Sequence, residues 1–145
     1  EKSSVISTDP ENRRDGEGGA TNDWGKLQIN NVIHATGPSY TPGENTDVKN
    51  EKDKILKGAY TGSLILANTA RARGEDVIKN IGFCLLSSGV FRGDRTLEDV
   101  IKIGVYSIFE YLRSIDSSDL ENIYIYSYEA AEKPILEEIF RGLLV

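Results

Sequence analysis

Ile81-Gly82-Phe83-Cys84-Leu85-Leu86 runs directly into Ser87-Ser88-Gly89-Val90-Phe91-Arg92-Gly93-Asp94. The first part is an unbroken apolar run. A half-exposed strand would alternate apolar with polar residues, so the run predicts a strand buried on both faces in the middle of a sheet. Its end passes into small hydroxyl residues and glycine, and a helical pattern opens at Thr96 with Glu98 and Asp99 in the first turn, where carboxylates complement the helix dipole. Buried strand, small-residue loop and helix start together make a candidate anion cradle, because free backbone N–H groups converge where the dipole is positive. A ligand phosphate is expected here before anywhere else in the chain.

The flanking sequence supplies the remaining layers. Val5-Ile6-Ser7-Thr8 offers a short strand. Residues 9–26 turn to Asp, Glu, Asn, Arg and Gly without a period and read as a long mobile surface loop. Within it, Asp15-Gly16-Glu17-Gly18-Gly19 lacks the alternating oxygen ligands and closing Glu of a calcium loop. Trp24 and Leu27 tack the loop back onto the domain, unless Trp24 instead leans over a ligand. Val32-Ile33-His34-Ala35-Thr36 reads as a strand ended by Gly37-Pro38, and residues 42–53 read as a polar loop. From Lys54, the residues Leu56, Ala59, Tyr60, Ser63, Leu64 and Ala67 recur at helical spacing, predicting a helix that ends near Gly74. Leu97, Val100, Ile101, Gly104, Val105, Ile108 and Leu112 form a second stripe that must pack on the sheet. Ile123-Tyr124-Ile125-Tyr126 reads as a strand with Ser127-Tyr128 at its end, and a last helix over residues 130–144 buries Ile135, Leu136, Ile139, Phe140 and Leu143.

Alternating strands and helices predict parallel strands joined by right-handed crossovers in a layered α/β fold. Ligands in such folds bind at the C-terminal edge of the strands. That edge carries Gly37-Pro38, residues 87–91 and Ser127-Tyr128.

The 145 residues suit one domain, and a domain of that size buries about 70% of its unfolded surface. Seventeen Lys and Arg against 23 Asp and Glu leave a net charge of −6, which argues against non-specific binding to a phosphate backbone. Cys84 is the single cysteine; within an apolar run it reads as a small buried hydrophobe. The sequence shows no signal-peptide pattern and no apolar run long enough to cross a membrane, so a soluble, reducing, cytoplasmic setting is expected. His34, the single histidine, is either a general base or a structural histidine; no Ser or Cys nucleophile with an acid partner is identifiable beside it. Nothing in the sequence calls for a cofactor or a metal ion.

These residues resemble the macro domains, a family that binds ADP-ribose. Residues 32–38 look like the family's strand ending in valine-isoleucine-histidine and glycine-proline, and Leu56 to Ala67 like the helix that follows. Ser87-Ser88-Gly89-Val90-Phe91 is similar to its serine-threonine-glycine-isoleucine-aromatic loop, with Ser88 standing for the threonine. Residues 123–128 look like its last strand. The likeness extends over residues 32–142 in order. It implies an α/β/α macro fold with a mostly parallel sheet, and a ligand that is ADP-ribose or a mono-ADP-ribosylated protein. It further implies that the loop from Ser87 holds the diphosphate on the amides of Ser88, Gly89, Val90 and Phe91, with Phe91 bordering the distal ribose and Tyr128 placed to stack on adenine. Both rings could instead be core. Gly89 is the residue expected to need positive φ or a close backbone approach.

The chain also departs from the family pattern. The early acidic residue for adenine, the asparagine-rich strand end and the triple-glycine phosphate loop are not in this sequence, and Arg92-Gly93-Asp94-Arg95 replaces the usual glycine, aromatic and proline. The chain therefore reads as the C-terminal part of the domain, residues 9–26 being an insertion and a second polypeptide or fragment supplying the strand beside residues 81–86. The resemblance implies a hydrolase that removes ADP-ribose from a modified protein; a reader without turnover and an unrelated nucleotide-phosphate binder are the alternatives. No catalytic residue is assignable. Asp94 is the carboxylate nearest the loop, and a turn residue or helix N-terminal charge is its simpler role.

Overall fold

The computed structural model describes residues 4–7 and 29–144. The surface loop expected over residues 9–26, with Trp24 and Leu27, lies outside the described residues. Strand β1 (Ser4–Ser7) pairs antiparallel with β2 (Val32–Ala35), Ser4 facing Ala35 and Ser7 facing Val32. This antiparallel pair stands beside the mostly parallel arrangement expected from the strand–helix alternation. Helix α1 (Thr46–Asn68) follows, then a short 3-10 turn at Arg71–Arg73 closed by Gly74 with φ 76. Strand β3 (Asn80–Cys84) leads through a second 3-10 turn at Val90–Arg92 into α2 (Leu97–Ser114). Strand β4 (Asn122–Tyr126) and helix α3 (Glu132–Leu143) complete the order.

Strands β3 and β4 are parallel, in register from Asn80 opposite Asn122 to Cys84 opposite Tyr126. Antiparallel pairs need only a hairpin, whereas a parallel pair needs a crossover; here α2 is that crossover. Ile81 and Phe83 are buried against Leu56, Tyr60 and Leu64 of α1 and Val100 and Ile108 of α2, with Ile123 and Ile125 of β4 packed alongside. A second cluster joins Ile101 and Val105 of α2 to Leu136 and Ile139 of α3. Each such aliphatic side chain, fully buried, contributes roughly 1.5–3 kcal/mol. The helix stripes fall as expected, except that Leu112 is 37% exposed near the end of α2.

Among the described residues, the part of the apolar run within β3 is covered on one face only. Asn80, Gly82 and Cys84 are exposed between the buried Ile81 and Phe83, because the helices that bury Ile81 and Phe83 lie on their side of the sheet. The opposite face carries Cys84, Tyr124 and Tyr126, the two rings 6.4 Å apart and nearly parallel, and an Asn122 side chain that donates to Asn80 Oδ1 at 2.9 Å. Cys84 is thus exposed, not the buried hydrophobe its apolar neighbours imply. Among the described residues β3 pairs with β4 alone, and β2 with β1 alone.

Residues 46–53, expected in a loop, form the first turns of α1. Asn45 caps the helix, its Oδ1 accepting from the Val48 N–H at 2.9 Å, which satisfies one of the donors every helix start leaves unpaired. The helix also stops at Asn68 rather than near Gly74. Thr96 caps α2 in the same manner, accepting from the Asp99 N–H at 3.1 Å, as the pattern at Thr96 anticipates. None of the described helices is long and apolar enough to cross a membrane.

Candidate functional site

Parallel pairing sends the ends of β3 and β4 off the same edge, so the loop after Cys84 and the Ser127-Tyr128 segment leave side by side. The β3 exit is fixed from within the core. Tyr60, buried on α1, offers its hydroxyl oxygen to the Leu86 N–H at 2.8 Å, and burial pushes the phenol up to about 12, so it stays a neutral hydroxyl. The next residue, Ser87, adopts φ 55, a left-handed conformation uncommon outside glycine. Its hydroxyl donates to the Pro38 carbonyl at 2.6 Å, which brings the end of the β2 segment onto the loop. Gly37 permits that approach: a Cβ there would meet Ser87 Oγ at 2.4 Å.

Beyond Ser87 the loop engages the carbonyls of Gly89 and Phe91. Ser88 Oγ donates back to Leu85 O at 3.1 Å, the Arg92 N–H donates to Gly89 O at 3.0 Å, and the Tyr40 N–H donates to Phe91 O at 2.8 Å. Among the described residues the N–H groups of Ser88, Gly89, Val90 and Phe91 make no hydrogen bond. Successive unengaged donors of this kind are what anion-binding backbone nests are built from. Val90 is 96% exposed and Phe91 54% exposed, so neither is a core residue, and Tyr128, 96% exposed, is a free ring at the end of β4. The need for positive φ falls on Ser87 rather than Gly89, which sits at φ −96 with open space where a Cβ would stand.

The far side of the loop rests on Tyr40. This buried residue donates its hydroxyl to Asp53 Oδ1 at 2.6 Å, and the other oxygen of Asp53 accepts from Arg95 at 2.8 Å. The Arg95 guanidinium lies 5.8 Å from the centre of the Tyr40 ring. Burial first, then the Asp53 carboxylate, pushes the Tyr40 phenol far above its usual range. Gly93, at φ 60, turns so close to Tyr40 that a Cβ would lie 2.5 Å from the Tyr40 carbonyl oxygen. Asp94 accepts from the Gly43 N–H at 3.1 Å and from Lys49 at 3.2 Å; these two bonds hold its carboxyl below the usual carboxylate range. His34 lies within β2, opposite Val5 in the ladder.

The structure thus joins Gly37-Pro38 to the loop of residues 87–91 and sets Tyr128 one strand away. Tyr40, Asp53 and Arg95 escape sequence reasoning, since no periodicity links three residues on a turn, a helix and a second loop.

The sequence model of the Macro domain matches residues 19–103. The chain belongs to the macro domain family. The fold agrees: a glycine-to-valine variant of the Oceanobacillus iheyensis macrodomain with ADPR superimposes at a TM-score of 0.69 and 16% identity, covering 99% of this chain and 60% of that one. The Oceanobacillus iheyensis macrodomain with ADP gives 0.65 and 17%, covering 99% and 59%. This macro domain chain therefore spans about 60% of the length of the solved macrodomains it matches. No curated protein matches it.

Proposed function

We propose that this chain, acting as one macro-type domain, binds ADP-ribose or an ADP-ribosylated group, with the diphosphate on the amides of Ser88, Gly89, Val90 and Phe91. The observation that carries this reading is the run of four amides unengaged among the described residues, on a loop whose Gly89 and Phe91 carbonyls are bonded. The solved macrodomains of the same fold carry ADPR and ADP, which supports the ligand class. Ser87 shapes the loop, Phe91 borders the distal ribose, and Tyr128 stacks on adenine, an interaction worth roughly 1–3 kcal/mol by alanine substitution.

Calorimetry with ADP-ribose, AMP and ribose phosphate tests it. ADP-ribose binds and Gly89→Glu abolishes binding, because a carboxylate side chain fills the open space before the amides and repels the diphosphate. Phe91→Ala weakens binding less, since a ring is lost and no amide. Unchanged affinity in a folded Gly89→Glu protein rules the loop out, and binding of another nucleotide in place of ADP-ribose turns the reading towards a general nucleotide-phosphate site.

Hydrolytic release of ADP-ribose from a modified protein is the catalytic form of this proposal. A reader without turnover is the second reading, favoured by Asp94: its carboxylate is bonded to the Gly43 N–H and Lys49, so the carboxylate nearest the loop acts as a strut rather than a base. Release of free ADP-ribose from a mono-ADP-ribosylated protein decides between them.

We further propose that a second polypeptide segment completes the sheet beside β3. A strand with one edge unpaired leaves donors and acceptors that cost about 1–3 kcal/mol each when buried. Mass spectrometry of the purified protein that finds the 145-residue species alone counts against a separate partner.

A further inference from the structure

The loop that carries the four amides is a 3-10 turn, and in such a turn the carbonyls point along the axis one way and the first N–H groups the other. Whatever fixes one carbonyl of the turn therefore fixes the direction of its free amides. Here the Phe91 carbonyl is fixed by the Tyr40 N–H at 2.8 Å. Tyr40 is in turn fixed by its hydroxyl on Asp53 at 2.6 Å, and Asp53 also binds Arg95, four residues beyond Phe91, at 2.8 Å. Arg95 closes the circuit over the Tyr40 ring. A carboxylate on α1 thus holds both the residue that grips the turn and Arg95, whose N–H donates to the carbonyl of the turn's last residue, Arg92, at 3.1 Å. From this arrangement we infer that Tyr40, Asp53 and Arg95 are positioning residues, setting the direction of the Ser88 to Phe91 amides through the Phe91 carbonyl and thereby the affinity for the ligand diphosphate.

The inference rests on the ADP-ribose reading, and the test separates the two. Tyr40→Phe and Asp53→Asn are compared with Leu136→Ala, which opens a cavity in the α2–α3 cluster, a cluster that includes none of Tyr40, Asp53 and Arg95. Two quantities are measured on each: affinity for ADP-ribose well below the melting temperature, and the backbone amide resonances of Gly89 and Phe91 without ligand. Expected are at least a tenfold loss of affinity in Tyr40→Phe and Asp53→Asn with displaced amide resonances, and wild-type affinity and resonances in Leu136→Ala despite its lowered melting temperature. The double variant Tyr40→Phe/Asp53→Asn binds no more weakly than Asp53→Asn, because both changes break one linkage. Unmoved resonances in both single variants, or equal loss of affinity in Leu136→Ala, overturn the inference. If the wild-type protein fails to bind ADP-ribose, the ligand reading falls, and the resonances alone decide whether the three residues orient the loop.

Discussion

Gly93 shows how tightly the loop is specified at the scale of one residue. Its φ of 60 and the 2.5 Å that would separate a Cβ from the Tyr40 carbonyl oxygen leave no route by which a side chain could be accommodated, since the obstacle is backbone. Gly93→Ala is therefore expected to destabilise the protein by about 1–3 kcal/mol, the usual cost of such a conformation outside glycine, read as a lower denaturant midpoint at unchanged slope. The reading of the loop as an anion cradle points to Gly89 instead, and the two glycines do different jobs. Gly89 keeps the front of the amides clear, whereas Gly93 lets the chain turn back under Tyr40. A motif of residue types cannot tell these apart, because clearance and torsion are properties of what surrounds a glycine.

Among the elements, the helices that carry an apolar stripe were legible and the start of α1 was not. Residues 46–53 include Lys49, Lys52, Asp47, Glu51 and Asp53 with Val48 as the lone aliphatic residue, so no period announces a helix; its first turns rest on the Asn45 cap and on polar bonds to neighbouring loops. Those bonds, Lys49 to Asp94 and Lys52 to the Ser39 carbonyl among them, tie α1 to the two segments that frame the site. Strand β3 was legible as a strand but not in its environment, since an apolar run does not say which face receives a helix. The Asp94 strut carries a sign. Its folded-state pKa is depressed by the Gly43 N–H and Lys49, so the stability it contributes is fully present above the unfolded value, near pH 4 for Asp, and is lost as pH falls through the lower folded value. Asp94→Asn should thus be less stable than wild type between pH 5 and 7, with the difference vanishing in more acidic solution, measured as paired urea midpoints across pH.

For the molecule as a whole, the sheet formed by β3 and β4 has its described helices on one side. Two tyrosines, two asparagines, a glycine and the thiol of Cys84 make up the other, and exposed contiguous aromatic surface is uncommon in a protein that works alone. The fold class was readable from the alternation of strands and helices, while this asymmetry follows from long-range packing and was not. It also turns Cys84 into a clock. Because the chain holds a single cysteine and that cysteine is exposed on the uncovered face, the rate at which a maleimide alkylates the native protein counts how often this surface meets solvent. The protein alone should react at a rate near that of an unfolded thiol. Addition of a segment that covers β3 and Tyr126 should slow alkylation in proportion to occupancy, so that a titration followed by intact mass yields a dissociation constant without any label on the partner.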